Sequence, residues 1–284
     1  MTVRELCALL RTPARSKAVK AMASASGGTV CGVAGSSAAV MLGMLPAEAG
    51  RPVLVVGDSL DDAGYLYHDL CRVAEGGEAA VAMFPSGYKR DIKYGQADEA
   101  ARILRTEALN RIADTSGPLR YVVSYPEALA ERVASVEELS DNTLRLRKGE
   151  SHDPQEIVGW LRSKGFAETD YVFEPGQFAL RGSILDIFAY SSELPVRIDF
   201  FGDEVDSVRT FNVETQLSET QLDDVAVTAQ SAGGRSGRLS LLDFMRTDTI
   251  VALRNESFTV ERLRAVAAEE MSGSTLMADE GDAC

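Results

Sequence analysis

The sequence predicts an α/β protein with a parallel sheet, into which a smaller α+β domain with an antiparallel sheet is inserted. Three observations carry this. Apolar runs alternate with helical patterns up to about Val136, four short Val/Ile/Phe-rich runs follow one another between Gly176 and Phe211, and a helix-strand-helix rhythm resumes after Leu239. Strands alternating with helices build a parallel sheet, whereas strands joined by tight turns build an antiparallel one.

Arg4 to Leu10 and Ser16 to Ala23 read as short helices, the second ending in the loop Ser26-Gly27-Gly28. Thr29-Val30-Cys31-Gly32-Val33 reads as a compact buried strand and Gly35 to Leu45 as a helix of small and apolar residues. Pro52 to Val56 is a continuous apolar run of the kind that parallel sheets bury on both faces. Ser59 is a suitable N-cap for a helix over Leu60 to Ala74, Ala79 to Phe84 is the next strand, and Ala97 to Ala113 repeats apolar residues at helical spacing. Arg120 to Ser124 is a further core strand, and Pro126 opens a helix where its missing N–H costs nothing.

Composition then shifts. Leu144 to Gly149 reads as a strand, and Asp153 caps a helix over Pro154 to Ser163. The runs Gly176 to Leu180, Ile184 to Phe188, Val196 to Phe201 and Val205 to Phe211 form a β meander, with turns at Arg181-Gly182-Ser183, Ser191 to Pro195 and Gly202-Asp203. Asp186 and Asp199 stand inside apolar strands, which predicts a sheet with one dry face and one polar face. Asp223 to Thr228 is a weak strand and Gly233 to Gly237 a flexible loop. Leu239 to Phe244, Thr249 to Leu253 and Val260 to Glu270 then suggest a return to the first domain. Ser272 to Cys284, small, polar and acidic, is expected to fray at the boundary of a fragment.

The 284 residues, 45% apolar and 25% charged, suit a soluble globular protein with room for two domains. A net charge of -14 argues against a broad nucleic-acid surface and makes a protein partner the better expectation. Cys7, Cys31, Cys71 and Cys284 form no C-x-x-C pair, and with His68 and His152 they make no zinc constellation, so reduced thiols in the cytoplasm are expected and no metal. No apolar run approaches the roughly 18 residues of a membrane helix, and Met1 to Ser26 lacks the order of a signal peptide, so no membrane partner is expected.

Gly32 to Ala39 occupies the place where a P-loop would stand. That motif needs a second glycine, a lysine for the terminal phosphates and a hydroxyl for magnesium. Gly32 and Gly35 are present, but Ser37, Ala38 and Ala39 fill the three defining positions, which predicts a degenerate P-loop without nucleotide or catalysis. The acid pairs Asp203-Glu204 and Asp61-Asp62 read as solvated turns and caps. Lys89, Arg90 and Lys93, with Tyr88 and Tyr94, make a weak candidate for DNA contact, against which the acidic balance favours a solvated loop. Arg181, beside Gly182, either projects toward a carboxylate-bearing partner or pairs with Asp186. Phe178 and Ile184 flank it and are either interface anchors or core, because alternation does not say which face is covered. Arg197 and Arg209 are expected in the sheet's own charge pairs.

The segment EPGQFALRGSILDIF followed by PVRIDFFGDEVDSVRTFNVETQLS resembles the amino-terminal, UvrB-homologous module of the Mfd family of transcription-repair coupling factors. The resemblance implies a UvrB-like α/β domain (1A) with a degenerate P-loop over 1–140, a UvrA-binding α+β domain (domain 2) over 141–226, and a partial returning segment (1B) over 227–284. It implies recruitment of UvrA through a surface that includes Arg181, with no ATPase in this fragment. ATP and magnesium are expected only in the motor domains of the full-length translocase, through which RNA polymerase and DNA would be reached. Two positions depart from the pattern: Ala167 follows Gly165-Phe166 where many relatives carry Arg or Lys, and Gly87 follows Phe84-Pro85-Ser86 where relatives carry Trp. Two alternatives stand beside this reading. A UvrB-like damage-verifying helicase needs the P-loop residues absent here, and an autoinhibitory scaffold would bind other domains of its own chain.

Overall fold

The computed structural model describes residues 12–24, 27–33, 35–87, 99–190, 192, 194–229 and 239–279. In chain order these form strands β1 (Val53–Val56), β2 (Val81–Met83), β3 (Tyr121–Ser124), β4 (Thr143–Arg147), β5 (Ala167–Glu168), β6 (Gln177–Arg181), β7 (Ile184–Phe188), β8 (Val196–Phe201), β9 (Glu204–Phe211), β10 (Ser218–Leu222), β11 (Asp224–Thr228) and β12 (Ile250–Leu253). The chain divides into two compact units, one drawn from Met1–Gly87, Arg111–Arg132 and Leu239–Cys284, the other from Tyr88–Asn110 and Val133–Arg238. The longer stretch of the second unit opens with the helix Val136–Asp141, which Ser135 caps and which leads into β4.

In the first unit four strands run parallel in the order β12-β1-β3-β2. β1 and β3 are buried along their whole length, which is why their sequences are unbroken apolar runs capped only by Ser124. The returning segment supplies β12, Val53 lying opposite Ile250.

The predicted strand over Thr29 to Val33 does not form: residues 27–33 are exposed and irregular, and the place beside β1 belongs to β12. Three apolar side chains interrupted by Gly32, at φ 77°, are too few to hold a ladder. The helix expected over Gly35 to Leu45 is two short ones, Ser37–Leu42 and Leu45–Ala49, the second with Pro46 in its first turn. Ser59 caps the helix Leu60–Val73 by accepting from the Asp62 N–H at 3.2 Å. Gly57 lets that helix approach β1, since a Cβ there would stand 2.8 Å from Ala63 N. The last helix, Glu256–Asp279, runs through part of the stretch expected to fray, and residues 280–284 lie outside the described residues.

The second unit holds a six-stranded sheet in the order β10-β9-β8-β7-β6-β5, antiparallel except for the β5–β6 pair, and a separate antiparallel ribbon of β11 with β4. The inner face of the large sheet carries Phe178, Leu185, Ile187, Ile198 and Val208, which pack with Ile157, Val158 and Leu161 of the helix Pro154–Ser163. Each such side chain taken out of water contributes about 1.5–3 kcal/mol. The outer face is mixed rather than simply polar: Ala179, Phe188 and Phe211 join Val172 in a small second apolar cluster. Strand β10 has no counterpart in the sequence reading, because it is an exposed polar edge held by its ladder with β9.

Candidate functional site

The outer face of the six-stranded sheet is organised around one carboxylate. Asp186, in the middle of β7, lies opposite Ala179 on β6 and Arg197 on β8, and none of its surface reaches solvent. A buried charge is tolerated only with partners. Asp186 has two. Arg197 grips it with both prongs of the guanidinium, Nε to Oδ1 at 2.7 Å and Nη2 to Oδ2 at 2.9 Å, and Arg181 Nη2 donates to Oδ2 at 2.5 Å. One acid against two bases leaves a net positive charge on this face.

The two arginines are placed differently. Arg197 is the inner one: its Cζ lies 4.5 Å from the Phe211 ring centroid and its Nη1 donates to the Gln216 carbonyl at 3.1 Å. Gln216 presents that carbonyl from a left-handed conformation, φ 58°. Hydrogen bonding to Asp186 raises the Arg197 pKa still further, so the charge is permanent. Arg181 is the outer one, with 33% of its side chain exposed. It stacks with Cζ 4.8 Å from the Tyr171 ring centroid and donates through Nη1 to the Asp170 carbonyl at 2.7 Å. Both readings of Arg181 therefore hold at once: it is paired with Asp186, and it is still reachable. Beside it lies an open hollow of about 560 Å³ lined by Glu168, Thr169, Asp170, Tyr171, Leu180 and Arg181.

Further along the same face Arg209 pairs with Asp199, which also accepts from the Ser207 hydroxyl at 2.9 Å. Arg197 and Arg209 thus serve the sheet's own charge pairs. Ile184 lies directly across from Arg181 in the β6–β7 register and is half-buried. Phe178 is a correction to the expected surface: it is 0% exposed in the inner core, since an odd separation from Arg181 puts it on the opposite face of the strand. Ala167, in edge strand β5, is exposed and offers no charge. Tyr171, Phe173, Leu217 and Phe201, the last 82% exposed, add apolar surface to this unit.

The expected degenerate P-loop is not found as a phosphate cradle. Gly32 and Gly35 take positive φ, but no strand leads into the turn, and Ser37, Ala38 and Ala39 open a six-residue helix that has no side-chain cap. The strand-to-helix turn that does follow the central strand β1 is Gly57-Asp58-Ser59, and it is acidic. Asp58 N donates to Asp62 Oδ2 at 3.0 Å, and burial together with the Asp62 charge raises the Asp58 pKa. Asp62 in turn pairs with Arg254 at 2.6 Å. Two carboxylates at that turn repel the anion a P-loop would bind.

The Phe84-Pro85-Ser86-Gly87 segment is tied down. Ser86 N donates to the Tyr125 hydroxyl at 2.8 Å, and Glu131 accepts from the Ser86 hydroxyl and, at 3.0 Å, from Gly87 N. Lys89, Arg90 and Lys93 lie outside the described residues. Asp203 sits in the β8–β9 turn and Glu204 at the exposed start of β9. Among the described residues no group of three or more His, Cys, Asp or Glu could hold a metal, and no helix is long and apolar enough to cross a membrane. The roles of Tyr171, Asp170 and Gln216 carry no signal in the sequence, because each comes from a loop whose path the sheet dictates.

Comparison with known proteins places this site in a family context. Residues 144–232, which contain the whole six-stranded sheet, match the UvrB interaction domain. The chain is 28% identical over 198 residues to the transcription-repair-coupling factor of Bacillus subtilis, covering 70% of this chain and 16% of the relative. It is 28% identical over 203 residues to that of Staphylococcus aureus (strain bovine RF122 / ET3-1), covering 71% and 17%. To that of Escherichia coli it is 37% identical over 97 residues, covering 34% of this chain and 8% of the relative. The matched part of the chain thus spans no more than 17% of the length of these relatives.

Proposed function

From a chain that corresponds to the UvrB-interaction region of a transcription-repair-coupling factor, we propose that it docks the excision-repair protein UvrA through the outer face of its six-stranded sheet. The observation that carries this is Arg181. Its guanidinium is held by Asp186, the Asp170 carbonyl and Tyr171, yet a third of the side chain faces solvent. An arginine held against an aromatic ring is the composition of an interface hot spot, and holding it in place before the encounter lowers the entropy cost of binding. The preferred partner feature is a carboxylate that completes the arginine's fork.

In this reading the fragment docks and does no chemistry. ATP, magnesium, RNA polymerase and DNA belong to other domains of the complete protein.

The test is calorimetric titration of UvrA into the fragment and into its Arg181→Glu form. We expect saturable binding by the parent and a loss of about 2 kcal/mol or more in the variant. Arg181→Gln, which keeps a donor beside Asp186, replaces the charge reversal if that variant unfolds. A folded parent that gives no heat with UvrA overturns the proposal.

A further inference from the structure

The first unit contains a cavity of about 330 Å³ at the end of the parallel sheet where the strands begin. Ligands of open parallel sheets ordinarily sit at the other end, beyond the carboxyl ends of the strands. Arg51 and Arg120 line it from positions just before β1 and β3, and Thr249 from just before β12. Arg111, in the last turn of the helix Glu99–Ala113, and Arg246 also line it.

Part of this clustering has a structural cause, because backbone carbonyls collect at this end of the unit and attract cations. Arg51 donates to the carbonyls of Asp248 at 2.5 Å and Ala23 at 2.9 Å, Arg120 to those of Gly117 at 3.2 Å and Leu119 at 2.8 Å, and Arg111 to those of Glu78 at 3.1 Å and Ala79 at 2.7 Å. Carbonyls are neutral, however, and leave the charges standing. Arg246 has the Asp248 carboxylate at 2.8 Å, but among the described residues Arg51 and Arg120 have no carboxylate within ion-pair distance. The Asp114 carboxylate, also in the wall, accepts from Ser116 N and Oγ.

One fact points past a purely structural role. The chain carries a net charge of -14, so four arginines lining one cavity run against its general field. We propose that the cavity binds a small phosphate-bearing anion, held by Arg51 and Arg120. A phosphate offers several acceptor oxygens and two negative charges to planar donor forks, and the volume is at the small end for a ligand pocket, suited to a pyrophosphate or nucleoside phosphate.

The experiment titrates inorganic pyrophosphate and, separately, magnesium-free ATP into the 284-residue chain, its Arg120→Gln form and its Arg51→Gln form, with folding followed by circular dichroism. Saturable binding is expected, about tenfold weaker in each variant, the scale of one charged hydrogen bond. Equal affinity for the two probes identifies phosphate alone as the recognised group, and tighter ATP binding adds the nucleoside; either outcome supports the site. The Arg51→Gln form keeps the test open if R120Q fails to fold. Absence of saturable binding at millimolar pyrophosphate, or unchanged affinity in both variants, overturns the proposal.

Discussion

Asp186 shows how one side chain sets the character of a surface. Its burial obliges two arginines to converge, and the difference in their depth makes Arg197 a structural clamp and Arg181 a presented charge. Replacing Asp186 by Ala leaves both guanidiniums without their acid, and we expect it to cost about 3–5 kcal/mol in denaturant unfolding, the scale for breaking a buried ion pair. A loss below about 1 kcal/mol would mean that solvent or another group already carries those charges. The pairing was legible in the sequence, since an acid in the middle of an apolar strand and an arginine at the preceding turn meet across a hairpin. Tyr171 and Gln216 were not, and the sequence left open whether Phe178 is an interface anchor or core. Strand alternation separates two sets of residues, but only the packing of the helix Pro154–Ser163 decides which set is inside.

At the scale of elements, periodicity read well wherever turns enclosed it. The helix Pro154–Ser163 and strands β7 and β8 have the limits that their sequences suggest. β10 was missed because all but one of its residues are exposed and its order comes from the neighbouring strand, while the run over Thr29 to Val33 was over-read because an apolar stretch makes a strand only beside a partner. Gly176 marks a further element-level constraint that composition hides. It takes φ 85° at the entry to β6, and an added Cβ would fall 2.0 Å from the Tyr190 hydroxyl. Tyr190 packs against Phe166 at 5.4 Å between centroids, so it does not swing away freely. Gly176→Ala is therefore expected to destabilise the second unit by about 2–3 kcal/mol, combining left-handed strain with overpacking. Chemical denaturation followed by Trp160 fluorescence reads it directly, and an unshifted midpoint would show that the turn relaxes without cost.

The whole molecule is a parallel-sheet unit interrupted by a second unit that has its own core. Every residue of the main core of the second unit lies between Leu146 and Ala229. A segment spanning Val133 to Ala229 is therefore expected to unfold cooperatively on its own and to keep UvrA binding; a broad, non-sigmoidal melt would show that the flanking unit is required. The insertion was legible from the return of strand and helix patterns after Leu239. The degenerate P-loop read at Gly32 to Ala39 was not confirmed, because among the described residues no strand leads into that turn.

That interruption also sets the timing of assembly. β1 waits for β12, which is made roughly 200 residues later, so at about 5–20 residues per second on the ribosome its ladder edge stays unpaired for about 10–40 seconds. During that interval the nascent chain shows a bare apolar strand edge, a template for other chains, while the inserted unit folds ahead of the unit that surrounds it. A message broken before the codon for Ile250 would release a product with that edge permanently open, so β12 is the strand that keeps β1 from aggregating.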